Sequence, residues 1–450
     1  MSEPVATHPA VDEAGPDAAV HDAAGHHAAG HGHAHVLDVA AQPPVLRDGS
    51  ALPKIGLIAG AALVGVALLI ALATGGGMRS FWFAYLYGFM VVLSLAIGSL
   101  FFVGIQHLTR AGWSVVVRRL AEIGAQLVKP LAVAFIPIWL TVLFGSSTPY
   151  PWVNVPDAIA AGHLAEGTES LIAGKGWFLN KWRWLLSAVF YFAAWIGIAS
   201  YFLNKSRRQD ETGDPQITLK LEKRSAPFLI LLALTSTFAA VDWVMTLAPT
   251  WYSTIYGVYF FAASTVCFYA VASIVSVLLW KRGVFNGVTS IEHFHDLGKL
   301  LFGFNCFWSY IAFSQYLLIW YANIPEEVEF YTPRYHNGWG WVSVALVAGH
   351  FIIPFFGLLS RHVKRNPLGL MFWAVWLLLI HLVDMFWLIM PFRDHHAGPL
   401  HSAGEVAITA LCLVGFLALG VGLLRGLAGG VPLVPLRDPR LPESQHFHNH

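Results

Sequence analysis

The sequence predicts an all-α, polytopic integral membrane protein with ten transmembrane helices and both termini on the cytoplasmic side. Three observations predict it. Only 12% of the 450 residues are charged, 56% are hydrophobic, and mean hydropathy is +0.59; a soluble domain carries about 25% charge. Ten apolar stretches of membrane-crossing length recur along the chain. Lys and Arg gather in alternate connections.

Residues 1–50 are polar, rich in Ala and Gly, and hold seven histidines, including His26, His27, His31, His33 and His35. Nothing in them could build a core, so a disordered tail is expected. They lack a charged n-region before an apolar h-region, so a cleaved signal peptide is not expected. Such a tail, like the C-terminal QHFHNH, can bind transition metal adventitiously.

The membrane domain is expected over 51–428, with spans near 55–74, 83–105, 130–145, 184–203, 226–247, 254–280, 299–321, 341–360, 367–389 and 405–425. The third is short and contains Pro137, so its helix is expected to start earlier, near Ile123. The turn APTWYS joins the fifth and sixth. The longest connection, 146–182, reads as a structured external loop. Residues 429–450 read as a cytoplasmic tail.

Ten spans put both termini on one face. The connections on that face hold 21 of the 27 Lys and Arg: Arg47 and Lys54, then clusters at 110–129, 205–224, 281–299, 361–365 and 425–440. The positive-inside bias makes that face cytoplasmic.

Net charge is +1, which argues against a nucleic-acid binder. Cys267, Cys306 and Cys412 each stand alone in apolar runs. No CxxC or CxxCH occurs, so no local haem c, zinc or iron–sulfur signature exists. No phosphate-binding glycine loop or HExxH motif stands in a suitable context.

Ionisable groups inside the spans are therefore the candidates, because each is costly in hydrocarbon. Asp242 lies late in the fifth span, His350 near the middle of the eighth, His381 and Asp384 on one face of the ninth, and Glu405 at the start of the tenth. Together they suggest the outer half of a proton path. EHFHDLGK (292–299) supplies Glu292, His293, His295, Asp296 and Lys299 at the cytoplasmic mouth of the seventh span, and Asn305, Ser309 and Tyr316 continue upward.

Plainer readings stay open. His381 and Asp384 could satisfy one another, Asp242 could anchor two helices, and EHFHDLGK could be an interfacial collar. His293 and His295, two apart, diverge on a helix, so no metal site is expected there. His350 and His381 lie on adjacent antiparallel helices, a geometry open to haem b ligation. The aromatics Trp243, Trp251, Tyr252, Tyr256, Trp308 and Trp320 suit either a flat quinone headgroup or an interface belt.

Four stretches carry a family resemblance: YLYGFMVVLSLAIGSLFFVGIQHLTRAGWSVVVRR (85–119), APTWYSTIYGVYFFA (248–262), EHFHDLGKLLFGFNCFWSYIAFSQYLLIWYANIPEE (292–327) and HFIIPFFGLLSR (350–361). The chain from about 80 to 400 resembles the ActF-type membrane subunits of alternative complex III, of the NrfD-like, polysulfide-reductase-type family. The family's DPH turn is here Ala248-Pro249-Thr250.

The resemblance implies ten helices including two four-helix bundles, in a bacterial inner membrane. It implies a subunit of a respiratory quinol:cytochrome c (or other periplasmic acceptor) oxidoreductase, not catalytic alone. Implied partners are an ActC-like homologous membrane subunit, an iron–sulfur subunit and multihaem cytochrome c subunits, within membrane lipid. Haem c and iron–sulfur clusters would sit only in those partners. This chain would hold no covalent cofactor, at most quinone or menaquinone, and would support quinol oxidation and proton conduction. A secondary transporter and a purely structural scaffold are the alternatives.

Overall fold

The computed structural model describes residues 41–46, 49–74, 77–394, 398–399 and 402–448. The stretch expected to be disordered lies mostly outside them. Eleven helices build the domain: α1 (Leu52–Ala73), α2 (Gly77–Leu108), α3 (Val115–Ala125), α4 (Val128–Leu143), α5 (Lys181–Thr212), α6 (Gln216–Trp243), α7 (Tyr256–Lys281), α8 (Ile291–Ala322), α9 (Trp339–Leu359), α10 (Pro367–Ile389) and α11 (Ala403–Ala428). Short helical turns fill the connections. Among the described residues β-structure is limited to isolated bridges, Val45 with Pro432 and Leu46 with Gly429. These bridges put the start of α1 and the end of α11 on one face, called the terminal face below.

Nine helices among the described residues are long and apolar enough to cross a membrane, with α3 and α4 counted as one. The chain is thus a multi-pass membrane protein by its architecture. The expected seventh span, α8, forms a helix of 32 residues, about 48 Å long, but is less apolar than the nine. Glu292, Asp296 and Lys299 in its first turns and Asn305, Ser309 and Gln315 along its buried side dilute it.

The expected third span also differs. Its helix begins at Val115, well before Ile123, and breaks at Gln126–Leu127 before α4 starts. The early part is amphipathic and charged, yet Arg118, Arg119 and Glu122 are buried because other segments cover them.

Two helices form the centre: 83% of the apolar stretch of α2 and 78% of that of α7 is buried, against 17% for α1. Around α7 pack α2, α6, α8 and α10. A Cβ at Gly98 of α2 would lie 2.3 Å from the Ser264 carbonyl oxygen of α7, so only glycine allows this approach. At the edge, α1 lies on α11 through facing glycines; a Cβ at Gly60 would lie 2.6 Å from the Gly415 carbonyl oxygen.

In α9 the residues Val347–Ile352 form a π-helical turn. Pro354 lacks the N–H that would bond the carbonyl of His350 four residues back, so the regular ladder is lost there. His350 sits inside this irregular turn.

Candidate functional site

Five elements converge on one buried polar group: α2 brings Ser94, α7 brings Tyr256 and Tyr259, α8 brings Asn305 and Trp308, the π turn of α9 brings His350, and α10 brings His381 and Asp384. All are 8% exposed or less.

The Asp384 carboxylate accepts from Tyr259 Oη at 2.5 Å on Oδ1 and from Trp308 Nε1 at 3.1 Å on Oδ2. The Trp308 ring stacks on the His350 imidazole, centroids 3.6 Å apart and planes 13° from parallel. His350 Nδ1 lies 2.9 Å from Asn305 Oδ1. With Oδ1 the acceptor, Nδ1 carries the hydrogen and Nε2 holds the lone pair. That Nε2 is buried without a hydrogen-bond partner among the described residues.

Ser94 Oγ lies 2.7 Å from the Val91 carbonyl and 2.8 Å from His381 Nε2. When its single hydrogen goes to the carbonyl, the hydroxyl accepts from Nε2–H and Nδ1 holds the lone pair. His381 Nδ1 is buried without a partner among the described residues. The two histidines thus each present one unpartnered ring nitrogen beside a buried carboxylate. Such a group can accept, hold and pass a proton.

His381 and Asp384 share a helix face but do not bond each other: one goes to α2, the other to α7 and α8. Tyr259 stacks at 6.5 Å on Tyr256, whose buried hydroxyl has no partner among the described residues. Beyond lies Arg334, fully buried, its guanidinium over the rings of Phe330, Trp387 and Phe392 and its N–H groups on the carbonyls of Phe330, Trp387 and Leu388. Burial draws Arg334 down to about 10, against the opposing pull of Tyr256, Tyr331 and Tyr259.

The other sequence candidates lie apart from this group. Asp242 is held by both arms of Arg183, Nη2 at 2.7 Å and Nη1 at 3.1 Å, and by Tyr191 Oη at 2.8 Å. These partners come from α5, and the surroundings are the packed rings of Phe192, Trp195 and Trp243. That is the geometry of a helix anchor. Glu405 accepts from Ser80 Oγ at 2.9 Å and pairs with Arg393 at 3.3 Å, a clasp between α2 and α11.

EHFHDLGK forms the first two turns of α8. Ser290 caps it, and Ser290 N donates to His293 Nδ1 at 3.0 Å. Glu292 pairs with Arg365, Asp296 with Lys299, and His295 Nδ1 lies 3.9 Å from Glu292. His293 is 1% exposed. Between Asp296 and Asn305 the buried side of α8 is Leu297, Gly298 and Leu301. So α8 itself places no polar side chain on its buried face between the mouth and the central group, over about 14 Å.

Sequence reasoning missed Ser94, Tyr259 and Arg334, and took Trp308 only as one of several aromatics. A hydroxyl in a greasy helix gives no signal of its own. It also missed the charge network of α3, although the RRxxE spacing at 118–122 predicts local pairing. Arg119 Nε lies 2.9 Å from Glu122 and its Nη2 2.6 Å from Asp210.

No known family model matches the chain, and no curated protein matches it.

Proposed function

We propose that the chain is a membrane subunit of a bacterial respiratory quinol:cytochrome c (or other periplasmic acceptor) oxidoreductase, and that its own task is proton conduction through the Asp384–His350–His381 group. One observation carries the proton reading: two buried imidazoles, each with one ring nitrogen unpartnered among the described residues, beside a carboxylate bonded by a tyrosine and a tryptophan. In this proposal all ten spans cross the inner membrane, α8 included, and the terminal face is cytoplasmic. The complex, the quinol, the ActC-like, iron–sulfur and multihaem partners rest on the family resemblance.

Asp384 is the central holding site, His350 and His381 receive or release the proton through their free nitrogens, and Tyr259 and Tyr256 lead toward Arg334. On the other side the buried hydroxyls Ser273 and Ser276 of α7 offer a way in. A scaffold reading is favoured by Asp242 and Glu405, which pair with Arg183 and Arg393. Gentle solubilisation, identification of co-purifying subunits and a haem spectrum test the complex. Proton flux in reconstituted vesicles with His381→Ala and Asp384→Ala together tests the path; unchanged flux defeats it. Recovery as a stable lone protein defeats the complex reading.

A further inference from the structure

We propose that residues 429–448 form a strap that ties the terminal face shut over His293, latched where Asp438 meets Arg118. The sequence suggests only a tail there, but this segment lies against six other parts of the chain. Near its start Leu433 N donates to the Pro44 carbonyl at 2.8 Å, and Leu433 and Val434 are buried. In the middle Leu436 N donates to Asp210 Oδ1 at 2.7 Å and Arg437 Nη1 to the Glu211 carbonyl at 2.8 Å, both at the end of α5.

The latch follows. Asp438 pairs with Arg118 of α3, with only 1% and 4% of the two side chains exposed, and Arg440 pairs with Glu222 of α6 at 2.5 Å. The tip crosses the connection between α2 and α3: Ser444 Oγ donates to the Trp113 carbonyl at 2.7 Å. The Glu443 carboxyl lies directly over Gly112, where a Cβ would come within 2.1 Å of it. The tip ends on α8, with Ser444 Oγ 3.5 Å from His293 Nε2 and the Phe447 ring 5.8 Å from the imidazole.

One continuous segment therefore connects α5, α3 and α6 to the first turn of α8. The strap, and not lipid, covers one of the two histidines of EHFHDLGK. His295, on the other side of that turn, stays partly open. A proton or ligand reaching the inner face of α8 from the terminal side must pass the strap or displace it.

The latch is a constitutive closure and not a switch at physiological pH. Burial alone would raise the Asp438 carboxyl, but Arg118, the Arg440 backbone N–H and Arg440 hold it below the usual carboxylate range. A depressed carboxylate stabilises the folded state fully above its unfolded value, about 3.9, and loses that contribution only as pH falls through the lower folded value. Opening therefore needs a competing partner or strong acid.

Hydrogen exchange on the full chain in detergent at neutral pH tests the strap, and its outcome is independent of the proton reading. Asp438→Asn should speed exchange at least tenfold over 433–446, and with it over 112–117 and 291–296, leaving α7 unchanged. Asp438→Glu should keep most of the protection. Should Asp438→Asn not fold, Ser444→Ala removes only the tip's bonds and should loosen 441–448 and 291–296. Wild-type exchange over 433–446 as fast as in a free peptide would overturn the proposal. So would a freed strap, in either variant, with 291–296 still protected.

Discussion

Replacing Asp384 in two ways separates its place in the fold from its use as a proton carrier. The carboxylate is fully buried and bonded by two donors, Tyr259 Oη and Trp308 Nε1. In Asp384→Asn the amide oxygen can still accept from Trp308, and the Tyr259 hydroxyl can turn and accept from the new NH₂. Two charge-assisted bonds become neutral ones, at a cost of about 1–3 kcal/mol. In Asp384→Leu both donors lose their acceptor inside the bundle, at about 1–3 kcal/mol each, or about 2–6 kcal/mol together. Thermal unfolding in detergent should therefore rank wild type above Asn and Asn above Leu. Proton flux into reconstituted vesicles, followed with a pH-sensitive dye, should fall at least tenfold in the Asn variant although it folds. Asn at wild-type flux would show that Asp384 carries no proton. Leu as stable as Asn would show that the two hydrogen bonds do not hold the helices.

Other consequences follow from the same geometry. Ser94→Ala removes the hydrogen-bond partner of His381 Nε2; flux should drop several-fold, and Ser94→Thr, which keeps the hydroxyl, should restore most of it. Asp242→Asn weakens the two-armed pair with Arg183; because the Arg183 side chain is 25% exposed, the expected loss is about 2–3 kcal/mol, seen in thermal unfolding with flux per folded protein unchanged. Gly60→Val forces a side chain against the Gly415 carbonyl and should cost about 1–3 kcal/mol, read as faster proteolysis of the connection before α1. Acidification should release the strap only below about pH 4; exchange over 433–446 that accelerates between pH 7 and 5 would contradict the latch at Asp438.

How far the sequence carries depends on the range of the physics involved. Helix positions follow from runs of apolar residues, which are local, so nine of the expected spans coincide with apolar helices of crossing length. The shift of the third span to Val115 and the polar dilution of α8 are departures of the same local kind. Partner choice is a different matter. His381 and Asp384 stand three residues apart, and that spacing allowed mutual pairing. The structure sends them to different helices, because Ser94 approaches one and Tyr259 with Trp308 approaches the other.

The sequence alone determined that this chain lies in a membrane as a bundle of helices, since too few charges exist to solvate it otherwise. It also singled out the acids and histidines that lipid cannot tolerate unaided. Only the tertiary structure decided which of them are engaged and which keep a free nitrogen, because hydrogen bonds are made across helices far apart in the chain. It also placed the charged C-terminal residues against the terminal face, since Asp438 pairs with Arg118, a residue more than three hundred positions earlier in the chain.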